Sequence, residues 1–257
     1  QQVAAAEILP RRPSALDAQA FVPPWLAEVV TEADTAAERV LTDQLRALRD
    51  VPVVGEEAAK EDASLLALTE AEATYWLVDP VDGTSAFAAG RDGFGSMVAL
   101  VERGVTTLAV IHAPVLGYTV AVERGAGAFE NGSRLRAIPS ASEPALSELG
   151  GYLYAGFLDD EAQQRCARAA EALDPRRSQP DYAACVEYPA IARGDKDFVL
   201  YGRLRPWDHA PGCLILEELG GVCALTSGER YRPALHTGPL IAARSSAVHR
   251  AILAALR

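Results

Sequence analysis

The chain is short of positive charge: 24 Lys+Arg stand against 35 Asp+Glu, a net charge of −11 at pH 7. That shortage excludes a surface that grips nucleic acid through its phosphates, which needs a basic stripe. It equally excludes a basic amphipathic segment lying on anionic lipid. Long apolar runs are missing too, and nothing approaches the roughly 18 consecutive residues of a membrane helix. The first dozen residues lack the apolar core and cleavage site of a signal peptide, so a soluble, cytoplasmic protein is expected. The single Met is at position 97 and not at position 1, and the sequence is expected to start inside a longer chain. Cysteine is sparse, and Cys166, Cys185, Cys213 and Cys223 match neither a zinc spacing nor a CxxC redox pair. They are expected to be reduced thiols in a core.

What is present is ordinary globular material, 49% hydrophobic and 23% charged over 257 residues, enough to bury a sizeable core. Residues 2–9 look like a helix stopped before Pro10, and residues 11–24 like a proline-bearing loop. Ala37, Leu41, Leu45 and Leu48 recur at helical spacing behind Asp34, which would serve as N-cap. Short strands are expected at 52–54 and 75–78, with a helical stretch at 63–73 between them. Strands at 95–102, 105–112 and 118–123 follow, divided by turn residues, and then a hairpin about Asn131-Gly132. Downstream, Asp159 would cap a helix to about residue 173. Strands fall at 198–200, 222–225 and 240–243, and helices at 209–219, closed by Gly220-Gly221, and at 246–256. Strands and helices mixed around an antiparallel middle imply an α+β or mixed α/β layered fold.

The most informative stretch is Trp76-Leu77-Val78-Asp79-Pro80-Val81-Asp82-Gly83-Thr84-Ser85. An apolar strand delivers two carboxylates at its end, stiffened by Pro80 between them. The N–H groups of Gly83, Thr84 and Ser85 would open a helix beside those carboxylates, a setting that suits phosphate. Paired hard carboxylates suit Mg²⁺, which is often completed by substrate phosphate. Alone, Asp79 and Asp82 read more readily as a strand-end turn residue and a helix cap. Two further acidic segments join them: Gly55-Glu56-Glu57 after a strand, and Trp207-Asp208-His209-Ala210 before an apolar helix. Among the histidines, His112 looks like a satisfied core group, His236 and His249 like surface residues, and His209 like pocket wall. None is expected to bind Mg²⁺, which prefers oxygen.

These three segments, in this order and spacing, resemble the inositol monophosphatase superfamily of Mg²⁺-dependent, lithium-sensitive phosphatases. Residues 30–34 with Glu38, Phe87, and Gly125-Ala126-Gly127-Ala128-Phe129 with Asn131-Gly132 extend the resemblance over roughly residues 28–257. It implies one domain over 1–257 with a layered αβαβα sandwich. The N-terminal half, to about 140, would carry the metal and phosphate motifs, and the C-terminal half from about 141 the pocket wall and last metal Asp. It implies two or three Mg²⁺ ions. Glu56, Asp79 and the Val81 carbonyl would hold the first, and Asp79, Asp82 and Asp208 the second, with any third leaning on Glu56. Gly83, Thr84 and Ser85 would cradle the phosphate, and Thr84, oriented by Asp34, would help take a proton from the attacking water. The implied reaction is phosphomonoester hydrolysis by in-line attack of a metal-activated water, without a phosphoenzyme. The implied assembly is a homodimer whose partner is a small phosphorylated metabolite, with no nucleic acid and no membrane.

On the alcohol side the chain departs from the pattern. Relatives acting on inositol phosphate carry a Glu seven residues before the last motif Asp, where this chain has Tyr201. The lysine common ahead of the first acidic segment is also missing from residues 11–26. Tyr201, Arg203 and Arg205 are the candidate substrate residues, the two arginines being suited to an anionic group. An inositol-1-phosphate-like polyol is the first expectation. Histidinol phosphate, fructose 1,6-bisphosphate and 3′-phosphoadenosine phosphates are alternatives on the same scaffold. A catalytically silent binding homologue is a further alternative, against which stand the intact Glu56, Asp79, Asp82, Thr84 and Asp208.

Overall fold

The computed structural model describes residues 1–12, 32–71, 73–136 and 143–257. In chain order the elements are α1 (Glu32–Leu48), β1 (Val53–Gly55), α2 (Glu56–Glu61), α3 (Ala67–Glu70), β2 (Thr74–Asp82), α4 (Thr84–Ala88), β3 (Gly95–Glu102), β4 (Val105–Ala113), β5 (Tyr118–Glu123), β6 (Gly127–Glu130) and β7 (Ser133–Arg134). There follow β8 (Gly151–Tyr154), α5 (Asp160–Glu171), α6 (Ala184–Arg193), β9 (Phe198–Tyr201), α7 (Pro206–Glu218), β10 (Val222–Leu225), β11 (Leu240–Ala243) and α8 (Ser246–Ala255). Strands β1 to β7 pair in sequence order as one sheet; β10, β11, β9 and β8 form a second. Among the described residues, only β1–β2 and β8–β9 are parallel pairs.

Side-chain alternation along β2 explains the layering. Tyr75 and Leu77 face one core with Met97, Ala99 and Val101 of β3 and Ile215 of α7, whereas Trp76 and Val78 face Leu41 and Leu45 of α1. A strand covered on both faces shows a continuous apolar run rather than alternation. Helix α7 is apolar all round because it lies between the sheets: it contacts β2 to β6 on one side and β10 and β11 on the other. On the far face of the second sheet, Phe198, Leu200 and Ile241 pack against Cys166 and Ala169 of α5 and Val248 and Ile252 of α8. The order is helix, sheet, helix pair, sheet, helix pair. All four cysteines are buried and free, and no helix among the described residues is long and apolar enough to cross a membrane.

Several expectations need correction. The N-terminal helix does not stop before Pro10: a 3-10 turn, Leu9–Arg11, carries it onward, since proline near the start of a short helix forfeits no bond. Helix α1 begins at Glu32, so Asp34 sits inside its first turn and is not its N-cap. Leu48 is 78% exposed at the last residue of α1. Strand β2 runs on through Pro80 to Asp82 with a register shift opposite β3. Helix α7 begins at Pro206, which occupies the first helical position, so Asp208 lies in its first turn and not ahead of it. His112 is on the partly buried outer face of β4, its Nδ1 2.9 Å from Thr119 Oγ1, and His249 is buried, not a surface residue. Strand β8 and helix α6 were not anticipated. The expected loop at 11–24 lies, beyond Arg12, outside the described residues, as do Val30, Thr31 and Ala137.

Candidate active site

The parallel pair β1–β2 ends on one side of the sheet, and chain leaving those ends carries the acidic segments. Glu56 opens α2 directly after β1, and Asp79 and Asp82 close β2. The first turn of α7 brings Asp208 to the same place. Carboxylate oxygens of Glu56, Asp79 and Asp208 lie within 4.8 Å of one another. Asp82 stands beside this trio, its carboxylate accepting the Cys185 N–H at 2.5 Å. Asp34, buried on α1, adds its negative field to Asp79.

So much like charge out of water favours protons over ions. Burial, then the charges of Glu56, Asp82 and Asp208, holds the Asp79 carboxyl well above the usual range. Burial and then Asp208 push Asp82 up to about 7. Glu56 and Asp208 are raised mainly by burial. Nearby cations offset part of the repulsion: Arg205 ion-pairs with Glu56, Lys60 reaches Glu56 at 3.2 Å and Glu57 at 2.9 Å, and Arg203 adds its field at Asp208. Asp79 Oδ1 and Asp208 Oδ1 are nonetheless buried with no hydrogen-bond partner among the described residues. Orphaned carboxylate oxygens facing each other at this spacing fit hard divalent cations such as Mg²⁺, which supply the missing positive charge.

Glu38 holds the acidic strand end in place. Its carboxylate accepts the N–H groups of Glu57 and Ala58, each at 2.8 Å, and so caps α2 from within α1. Gly83 takes φ +83°, and a Cβ there would meet the Gly93 carbonyl at 2.6 Å, so the turn from Asp82 into α4 requires glycine. Thr84 donates its hydroxyl to the Val81 carbonyl at 3.0 Å. Gly83, Thr84 and Ser85 line a cavity of about 370 Å³ together with Glu56, Asp79, Asp82 and Asp208.

Strands β8 and β9 end on the opposite wall of this cavity and make it aromatic. Tyr152 and Tyr154 share one face of β8 at a ring separation of 4.7 Å. Tyr201 stacks on Tyr154 with an interplanar angle of 11°. Tyr182 and Phe157 complete that wall, and Arg203 lies over the Phe157 ring at 5.3 Å. His209 is a buried neutral imidazole, its pKa lowered to about 4 by burial, with Nε2 3.1 Å from the Arg203 carbonyl oxygen. Every candidate from the sequence except Asp34 and Val81 thus lines the cavity, and those two are buried beside it. Sequence reasoning missed Lys60, whose signal was its i+4 spacing from Glu56 on a helix. It also missed Tyr152 and Tyr154, whose signal was an i, i+2 aromatic repeat. Cys185 and Tyr182 carried no signal, because only the tertiary fold brings 182–185 to Asp82.

Comparisons with known proteins identify the family and the fold. The sequence profile of the inositol monophosphatase family matches residues 16–257. The fructose-1,6-bisphosphatase/inositol-1-monophosphatase of Thermotoga maritima is 33% identical over 205 residues, 79% of this chain and 73% of that protein. The histidinol-phosphatase of Chlorobaculum parvum is 28% identical over 240 residues, 88% of this chain and 83% of that protein. An inositol monophosphatase structure from Zymomonas mobilis superposes with a TM-score of 0.76 at 25% identity, over 99% of this chain and 93% of that one. With its motifs on one cavity and its profile match running to the last residue, the chain belongs to the inositol monophosphatase family, whose members are metal-dependent phosphatases.

Proposed function

We propose that this cavity hydrolyses the phosphomonoester of a small phosphorylated metabolite by in-line attack of water, using two or three Mg²⁺ ions. The observation that carries this reading is the convergence of Glu56, Asp79 and Asp208 within 4.8 Å beside the Gly83–Ser85 turn. Glu56, Asp79, the Val81 carbonyl, Asp82 and Asp208 hold the cations. Bound there, Mg²⁺ neutralises phosphoryl charge and makes water a better nucleophile near neutral pH. The N–H groups of Gly83, Thr84 and Ser85 bind the phosphate oxygens and fix the phosphorus for attack. The Thr84 hydroxyl would take the proton released by the attacking water while giving up its own to the Asp34 carboxylate. Arg205 and Lys60, close to Glu56, moderate the site's charge, and Arg203 and Tyr201 face the alcohol. Attack by water gives inversion at phosphorus and no covalent phosphoenzyme.

Polyol phosphate, histidinol phosphate, fructose 1,6-bisphosphate and 3′-phosphoadenosine phosphate all present the same reacting group, so a panel must separate them. Phosphate release is expected from at least one member with saturating Mg²⁺ and from none in excess chelator. No release from any phosphoester with Mg²⁺ present refutes the phosphatase reading and leaves the silent homologue. A homodimer in the cytoplasm belongs to the same reading, and light-scattering mass in solution checks the dimer.

A further inference from the structure

The wall facing the alcohol half of a bound ester is unusual in what it offers. The acids lining the cavity are Glu56, Asp79, Asp82 and Asp208, all grouped at the end where β1, β2 and α7 meet. Among the described residues, no lining carboxylate stands on the β8–β9 side. Glu187, which accepts the Tyr154 hydroxyl, is fully buried and ion-paired with Lys196 at 2.9 Å. A wall built to read a polyhydroxylated ring needs hydrogen-bond acceptors aimed at several hydroxyls. This one presents the rings of Tyr152, Tyr154, Tyr182, Tyr201 and Phe157, with the Arg203 guanidinium beside them.

The rings are also fixed. The Tyr154 hydroxyl accepts the Tyr182 N–H at 2.8 Å while donating to Glu187. Tyr182 takes φ +60°, a left-handed backbone that a bulky side chain adopts only where surrounding contacts enforce it. That conformation brings the Tyr182 ring edge-on to Tyr152 at 6.3 Å and within 5.7 Å of Tyr154. Tyr152 and Tyr182 remain only half-buried, and Phe157 at the rim is 48% exposed. Core aromatics would be covered, whereas these border open cavity volume. Their order is set by a buried ion pair whose side chains do not themselves line the cavity.

We infer that the phosphomonoester this cavity takes carries a planar aromatic or heteroaromatic ring on its alcohol side, packed against Tyr152 and Tyr182. The inference rests on the phosphatase reading for the phosphate end and narrows it at the alcohol end. Aromatic side chains prefer flat partners in offset or edge-to-face contact over puckered saturated rings of equal size.

Benzyl phosphate and cyclohexylmethyl phosphate test this, since they match in length and in leaving-group chemistry and differ in ring planarity. With Mg²⁺ the wild-type chain is expected to favour benzyl phosphate in kcat/KM by about tenfold, about 1.4 kcal/mol, carried mainly by KM. Tyr152→Leu should bring the ratio close to one, and Tyr152→Phe should keep it. Binding of benzylphosphonate against cyclohexylmethylphosphonate, by titration calorimetry in Mg²⁺, reads the same preference without turnover. A wild-type ratio near one in both assays, or a ratio unchanged in Tyr152→Leu, overturns the inference. Ring-selective binding without phosphate release from any ester overturns the phosphatase reading and leaves the ring preference standing. Release without ring preference does the reverse.

Discussion

Asp82 shows how much of this site is set by one side chain's surroundings. Its carboxylate is buried, accepts the Cys185 N–H, and sits in the field of Asp208 and Glu56, which together with burial bring it to about 7. An amide at this position keeps an oxygen to accept the Cys185 N–H but supplies no charge to a cation. Asp82→Asn is therefore expected to fold normally and to lower kcat by about a hundredfold or more, the scale of losing one charge-stabilising group from a reaction site. Phosphate-release kinetics and thermal melting in chelator check both halves, and near-wild-type turnover removes Asp82 from the cation site. Asp34 teaches a different lesson. Its sequence context suggested a helix cap, but the helix starts two residues earlier and leaves the side chain buried near Asp79. Local capping signals carry no information about which carboxylate a neighbouring strand will bring close.

At the scale of elements, the contact between α6 and α7 sets the distance between the catalytic wall and the aromatic wall. Gly212 of α7 lies against Tyr188 of α6, and a Cβ there would fall 2.0 Å from the ring's Cγ. Tyr188 is fully buried and stacks on Tyr201, so it has no free direction in which to yield. Gly212→Ala gains about 1 kcal/mol of helix propensity, but overpacking a rigid core costs about 1–3 kcal/mol and forces the helices apart. A net loss of stability is expected in urea unfolding, with a raised KM in the phosphatase assay. A rise in the urea midpoint would show that the helices part at little cost. The same contact explains which elements were legible in advance. β5, β10 and β11 declared their limits in apolar runs bounded by turn residues. Helix α7 was visible as an apolar stretch ending in Gly220-Gly221, though its start was misplaced because Pro206 reads as a break until it is seen at the first helical position. Helix α6, with Pro189 inside it and alanines around it, has no clear period and no side-chain N-cap, and Gly194 at its end is its one terminal signal.

For the molecule as a whole, the acid surplus is unevenly placed, and its densest part is buried rather than solvated. Between the ordinary value of 3.8 and about 7, folded Asp82 keeps a proton that the unfolded chain has already released. The folded state then binds more protons, and stability falls as pH rises through that window, by up to about 1.4 kcal/mol per pH unit for each such group. Glu56, Asp79 and Asp208 are shifted in the same direction. His209 opposes them on the acid side: its folded pKa of about 4 lies below the ordinary 6.5, so its contribution is lost as pH falls from 6.5 to 4. Above pH 6.5 only the carboxylates remain. In chelator the melting temperature is expected to drop as pH rises from 6.5 to about 7, where Asp82 gives up its proton, and saturating Mg²⁺ should remove that drop because the cations bind the ionised form. Parallel melting curves with and without Mg²⁺ would separate the acidic cluster from cation binding. The sequence by itself determined the identity and order of the acidic segments, the glycine that turns Asp82 into α4, and the family, because these depend on residue types at short spacings. Only the tertiary structure decided that Arg205 reaches Glu56, that Cys185 addresses Asp82, and that Tyr152, Tyr182 and Tyr201 make one wall. Each of those pairings joins elements distant in the chain, and packing between two sheets, rather than any local preference, brings them together.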